Sequence, residues 1–129
     1  MAFPRLHAKY KKIAVADILT TVTAPNTLVA ADPSKRYKIV DVMVRSIGGD
    51  AAGSTTLQVT NGVEVAWSIT TTNLDENVIK LPESTNITAT HLGHWGNGNK
   101  PIALIRTGTV TTTATHIEVT VYYLVAGCN

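Results

Sequence analysis

The sequence predicts an all-β domain of about eight short strands, a β-sandwich or barrel. Three observations carry that expectation. Thr, Val and Ile together make up about a third of the 129 residues, and β-branched side chains lose rotamer freedom in helices while packing well on a pleated sheet. Alternating apolar and polar runs are punctuated by Gly, Pro, Asn and Asp about every 8–12 residues, the rhythm of a sandwich or barrel. No stretch longer than a turn has helical periodicity; Leu74 to Val78 is the best place for a single turn. The length suits one domain that can fold around its own core without disulfides or metals.

In chain order, Ile13 to Ala24 reads as a first strand, closed by Pro25-Asn26. Asp32-Pro33-Ser34 marks a turn, because Pro presets φ and Asp or Ser bonds the local backbone. Tyr37 to Ile47 is the next strand, with Val40, Val42 and Val44 on one face and Tyr37, Ile39 and Met43 on the other. Gly48-Gly49-Asp50 and Gly53-Ser54 break it as a loop. Thr55 to Thr70 forms a hairpin around Asn61-Gly62. A three-residue loop, Thr60-Asn61-Gly62 with Gly62 left-handed, pairs Val59 with Val63, Leu57 with Val65 and Thr55 with Trp67. That register points Trp67 and Ile69 inward and Glu64, Ala66 and Ser68 outward. Asn77 to Leu81 and Thr85 to Leu92 are two further short strands, and Gly93 to Lys100 is a Gly/Asn-rich loop. Pro101 to Thr107 resumes a strand, and a long final one runs from about Thr111 to Val125 with Ile117, Val119, Val121, Tyr123 and Val125 inward.

The residues argue against several function classes. The single cysteine, Cys128, excludes an internal disulfide framework. No apolar run reaches the ~18–20 residues of a helical membrane span. Asp17 and the threonines around it interrupt any secretory h-region, so a chain made in a reducing cytoplasm is expected. His91 and His94 form a His-x-x-His pair, with His116 and His7 elsewhere, but no acid lies between Glu83 and Glu118 to complete a zinc site. Asp17 and Asp41 read as strand residues, and no Ser-His-Asp order, nucleophile elbow or phosphate-cradling loop is present. A non-enzyme without cofactor or metal is the expectation.

Charge is uneven. Residues 1–12 carry Arg5, Lys9, Lys11 and Lys12 with no acid, whereas the remaining seven basic residues face all nine acids. Residues 1–12 therefore read as a basic N-terminal arm and 13–129 as the β-sandwich domain. Phe3, Leu6 and Tyr10 interleave the cations, which suits an arm laid across another protein. Four charges fall short of a nucleic-acid footprint. The most unusual segment is Gly93-His94-Trp95-Gly96-Asn97-Gly98-Asn99, where His94, Trp95 and Asn97 form a candidate exposed loop. Trp95 either stacks on a ligand or partner, or folds back over one end of the core.

Thr107-Gly108-Thr109-Val110-Thr111, a Thr/Ala stretch and then His116-Ile117-Glu118-Val119-Thr120-Val121-Tyr122-Tyr123 resemble the carboxyl-terminal end of small tailed-phage virion proteins. The Tyr37 to Val44 strand and the Thr55 to Thr70 hairpin fit the same pattern. The family resembled is the capsid cement or decoration proteins. The resemblance implies a jelly-roll-like antiparallel β-sandwich, a homotrimer, and a place on the outer capsid surface of the virion in contact with the major capsid protein. The other reading of these strands is a receptor- or carbohydrate-binding module of a phage tail fibre or spike, with Trp95 as platform.

Overall fold

The computed structural model describes residues 5–50, 56–61, 65–70, 87–88, 92–108 and 114–127. Among them are seven strands of three residues or more: β1 (His7–Ala14), β2 (Thr27–Val29), β3 (Lys35–Ile47), β4 (Thr56–Thr60), β5 (Val65–Thr70), β7 (Ile102–Arg106) and β8 (His116–Gly127), with a two-residue β6 (Ile87–Thr88). They form two sheets, ordered β1-β8-β3 and β2-β7-β4-β5-β6, and every pairing is antiparallel. The chain is therefore all-β, as its composition predicts. Ile13, Val42, Val44, Ile117, Val119 and Val121 from the first sheet join Leu28, Leu57, Val59, Trp67, Ile69, Ile102 and Leu104 from the second in one buried cluster.

The final strand follows its pattern closely. Ile117, Val119 and Val121 are buried, and Tyr123 and Val125 pack partly buried against the same core. The strand begins at His116 rather than near Thr111, and 111–113 lie outside the described residues. At the other end of the chain the expected boundary moves. Residues 7–12 are not an arm but most of β1, an eight-residue strand paired with β8 from His7↔Tyr123 to Ala14↔His116. Lysines hid the alternation: His7 stacks on Tyr123 at 5.3 Å, Lys11 donates from Nζ to the Thr27 carbonyl at 3.0 Å, and Ile13 is buried. Long cationic side chains sit easily on an edge strand because the stem covers apolar surface while the head reaches polar groups.

The expected strand from Ile13 to Ala24 ends at Ala14. Two 3₁₀ turns, Val15–Asp17 and Ala24–Asn26, bracket the crossing to the second sheet. Arg106 ties this crossing to β7, its backbone N–H bonding Leu19 O at 3.0 Å and its Nε bonding Ile18 O at 2.7 Å. Buried Asn26 accepts from the Thr23 N–H at 2.7 Å and donates to Thr21 O at 3.0 Å, which satisfies its amide inside the turn.

In β3 the three valines do not share a face. The pairing with β8 slips between Ile39 and Asp41, so Val40 is the extra residue of a bulge. Tyr37, Ile39, Val42 and Val44 all point into the core, while Val40 is 39% exposed. Asp41 Oδ1 accepts the Val42 N–H at 2.8 Å, which holds the kink. The β4–β5 hairpin also differs from its expected register: Val59 pairs with Trp67, Leu57 with Ile69, and Thr60 with Val65 after a slip. The shift at Val59 and Leu57 is four residues, an even number, so Trp67 and Ile69 still face inward and alternation cannot separate the two registers. Asn61 is not a solvent-facing turn residue: it is buried, and Nδ2 donates to the Tyr37 and His94 carbonyls at 3.5 and 3.3 Å. Ala66, expected outward, is buried beside the slip. Gly62, Val63 and Glu64 lie outside the described residues, as do the expected strand 77–81, the helical turn at 74–78 and most of the expected strand 85–92, of which Ile87–Thr88 is seen.

The bulge separates two valines that alternation would treat alike. Val42→Ala is expected to destabilise by about 2 kcal/mol, from lost burial plus a cavity, and Val40→Ala by less than about 0.5 kcal/mol. Chemical denaturation of both variants checks this; equal losses would place the two side chains on one face.

Candidate functional site

Two surface regions collect the residues singled out above. The first is the outer edge of β1. The Val15 N–H bonds Thr115 O at 3.0 Å in the phase of the ladder. Hydrogen-bonded pairs alternate along an antiparallel ladder, so Lys9, Lys11 and Ile13 spend their backbone groups on β8. Ala8, Tyr10 and Lys12 turn theirs outward, to an edge that no described strand covers. Between this edge and the 24–31 segment lies an open groove of about 720 Å³, lined by Lys9, Tyr10, Lys11, Ala24, Thr27, Leu28, Ala30, Ala31 and Pro101. Its charged lining residues are both cations. Of the expected arm residues, Arg5 and Leu6 are exposed just before the strand, Lys12 is exposed on its outer face, and Phe3 lies outside the described residues.

On the outer face of the same sheet, Tyr10 donates to Glu118 Oε2 at 2.6 Å, and Arg45 pairs with Glu118 Oε1 at 2.6 Å. A small hollow of about 190 Å³ lies among Tyr10, Met43, Arg45, Glu118 and Thr120. The bond from the Tyr10 hydroxyl, then the one from Arg45, holds the Glu118 carboxyl below its ordinary value. The same bond to Glu118, then burial, raises the Tyr10 hydroxyl. Sequence reading missed this triad because its members are separated by up to 108 residues.

The second region is the Gly93–Asn99 segment. Rather than a loop in solvent, it lies along the β3 edge that β8 leaves open. The Gly93, Gly96 and Asn99 N–H groups bond Ile39 O, Tyr37 O and Lys35 O at 2.8, 2.8 and 3.1 Å, and Lys38 and Trp95 form an antiparallel bridge. Asn61 braces the segment from beneath through His94 O, and a Cβ on buried Gly96 would fall 2.8 Å from Asn61 Cγ. Trp95 is half-buried, with the Arg36 guanidinium carbon 5.2 Å and Lys38 Nζ 5.1 Å from its ring centroid. His94 and Asn97 are exposed beside it. The sequence placed Trp95 in an unusual segment but missed Arg36 and Lys38. Their spacing across buried Tyr37 was the available signal, since i and i+2 share a strand face.

The histidines separate. His7 stacks on Tyr123, His94 sits beside Trp95, His116 Nδ1 lies 3.0 Å from Thr115 Oγ1, and His91 lies outside the described residues. Among the described residues no three His, Cys, Asp or Glu groups come together, and no helix is long and apolar enough to cross a membrane.

Tyr10→Phe is expected to raise the Glu118 pKa toward its ordinary value in an NMR titration. The sign follows from the two shifts. Stability from the depressed carboxyl is present above the unfolded glutamate value and lost as pH falls through the lowered one; stability from the raised phenol is present below the ordinary tyrosine value and lost as pH rises through the raised one. The variant should therefore lose stability between those limits, and an unmoved Glu118 titration would remove Tyr10 from the network. Gly96→Ala should cost about 1–3 kcal/mol because Asn61 must give way, and Trp95 emission should shift red as the segment loosens. Unchanged stability and emission would mean that Asn61 does not brace Trp95. Searches among protein families, curated proteins and solved structures find no match to this chain.

Proposed function

We propose that the chain is a jelly-roll-like β-sandwich acting as a structural virion protein of the cement type, a homotrimer that binds the outer capsid surface and reinforces the shell. The observation that carries this reading is the nesting of its strands. Among the described strands the first pairs with the last (β1·β8), the second with the second-to-last (β2·β7), and β4 with β5. Rolling up such a nested hairpin gives two sheets whose strands alternate between the halves of the chain, the double Greek key of a jelly roll. The missing partner of β3 would then be the segment on its open edge, Gly93–Asn99. This architecture recurs in viral capsid and lectin domains, so the step from fold to function is analogy, joined to the strand resemblance described above.

The capsid contact in this reading is the β1 edge. Outward backbone groups at Ala8, Tyr10 and Lys12 can take an added strand from the major capsid protein, Lys9 and Lys11 favour an acidic one, and exposed Leu6 and Tyr10 supply apolar anchors. Trimer contacts draw on half-buried Met43 of the outer face; buried Ala66 is unavailable to them. The half-buried Trp95 with its two cations favours the second reading, a receptor- or carbohydrate-binding module of a tail fibre or spike.

Quantitative mass spectrometry of purified virions tests the reading. Copy numbers comparable with the major capsid protein are expected; a handful of copies at the tail would favour the second reading, and none would overturn both. Light scattering should give three times the 13.7 kDa chain mass. Ala8→Pro removes an outward N–H without breaking the ladder to β8. It should leave the protein folded and weaken attachment to stripped shells, as should Lys9→Glu with Lys11→Glu. Full attachment by both variants would move the contact away from β1.

A further inference from the structure

The end of β3 beside Trp95 has a chemistry that the shell-binding role does not use. Arg36 and Lys38 flank buried Tyr37 and so project from the outer face of their sheet. Both cationic groups rest on Trp95, and among the described residues neither has a carboxylate within ion-pairing distance; the two ion pairs found there join Lys35 to Asp32 and Arg45 to Glu118. Directly opposite residues of an antiparallel pair share a face, so Leu124 lies beside Lys38 and Ala126 beside Arg36. The surface thus combines two cations that no described carboxylate pairs, an indole and a short aliphatic patch.

It is also built rather than loose. Three backbone hydrogen bonds seat the Trp95 segment on β3, and buried Asn61 holds it from below. A guanidinium lying against an indole has its orientation set while its N–H donors stay in plane, available to grip a carboxylate with two parallel bonds. Lys38 adds a second charge from the same side.

We propose that Trp95, Arg36 and Lys38 form a binding site for an acidic saccharide, one whose sugar ring carries a carboxylate. The carboxylate engages Arg36 and Lys38, and the C–H face of the ring lies on Leu124 and the exposed part of the indole. A neutral sugar leaves both charges uncompensated. A nucleic-acid strand needs a longer basic track than this one-ring footprint, because its phosphates recur at every residue. The site belongs to the single chain and holds whether the protein sits on a head, on a tail or on neither.

The two tryptophans supply the readout. Trp67 is fully buried and Trp95 is half-exposed, so a ligand-induced emission change reports on Trp95, and Trp95→Phe should abolish it. Tetragalacturonate and sialyllactose are the acidic probes, maltotetraose the neutral one, with inorganic phosphate and oligo-dT as competing arms. At least one acidic probe should give a saturable shift, with Kd on the order of 1 mM or tighter for so small a site. Arg36→Gln and Lys38→Gln should each weaken it by about tenfold, the scale of one charge-assisted hydrogen bond, with melting temperature unchanged. Silence from both acidic probes up to about ten times that Kd, equal binding of maltotetraose, or indifference to both substitutions would overturn the proposal. Tighter binding of oligo-dT would make the site one for single-stranded nucleic acid, and an equal response to phosphate alone would reduce it to an anion site without sugar selectivity.

Discussion

Strand β8 is the member on which the rest of the first sheet depends. It pairs with β1 over eight residues on one side and with β3 from Lys35↔Gly127 to Ile47↔His116 on the other, while Ile117, Val119 and Val121 fill the core. No other described strand could take its place, because β1 and β3 do not touch as a pair. Its ladder sets the phase of β1, hence which backbone groups face the outer edge. Its contact with β3 decides where that strand must kink.

The kink at Val40 is what lets β3 serve both ends of the sheet. Before it, Tyr37 and Ile39 point inward and Arg36 and Lys38 outward; after it, Val42 and Val44 point inward. Without the extra residue, one half of the strand would turn its apolar set to solvent, since side chains alternate with a period of two. Tyr37 gains most from this arrangement. Its ring meets Tyr123 edge-on at 5.7 Å, its hydroxyl donates to Ala30 O at 2.8 Å, and its burial raises its pKa. The same residue's carbonyl receives Gly96 and Asn61, so one side chain and its backbone join the core, the second strand's approach and the Trp95 segment.

The two edges of the first sheet are finished differently. Gly93–Asn99 covers the β3 edge with an irregular segment, and glycine is what permits it: Gly93 has φ of 82°, and Gly96 passes too close to Asn61 for a side chain. Among the described residues no strand covers the β1 edge, which carries lysines, a common defence against unwanted pairing. An open edge beside a cation-lined groove also selects what may pair with it, because an acidic strand is favoured and a basic one repelled.

By itself the sequence determined the all-β class, the inward face of β8, the inward Trp67 and Ile69, and the oddness of the Trp95 segment. Those follow from β-branched composition and period-two alternation, which are local. It did not determine where strands slip. Val40 and Val42 look equivalent until β8 lies alongside, and the hairpin registers differ by an even shift that keeps Trp67 and Ile69 inward. It also disguised β1, where Lys9 and Lys11 take the alternate positions that lead to Ile13 but belong to an edge, a position only the assembled sheet defines. Trp95 was legible as a residue, whereas its partners Arg36 and Lys38, nearly sixty positions away in the chain, became neighbours only when the tertiary structure laid the segment on β3. Local pattern fixes which way a side chain can point; long-range pairing chooses its neighbours, and a binding surface is made of neighbours.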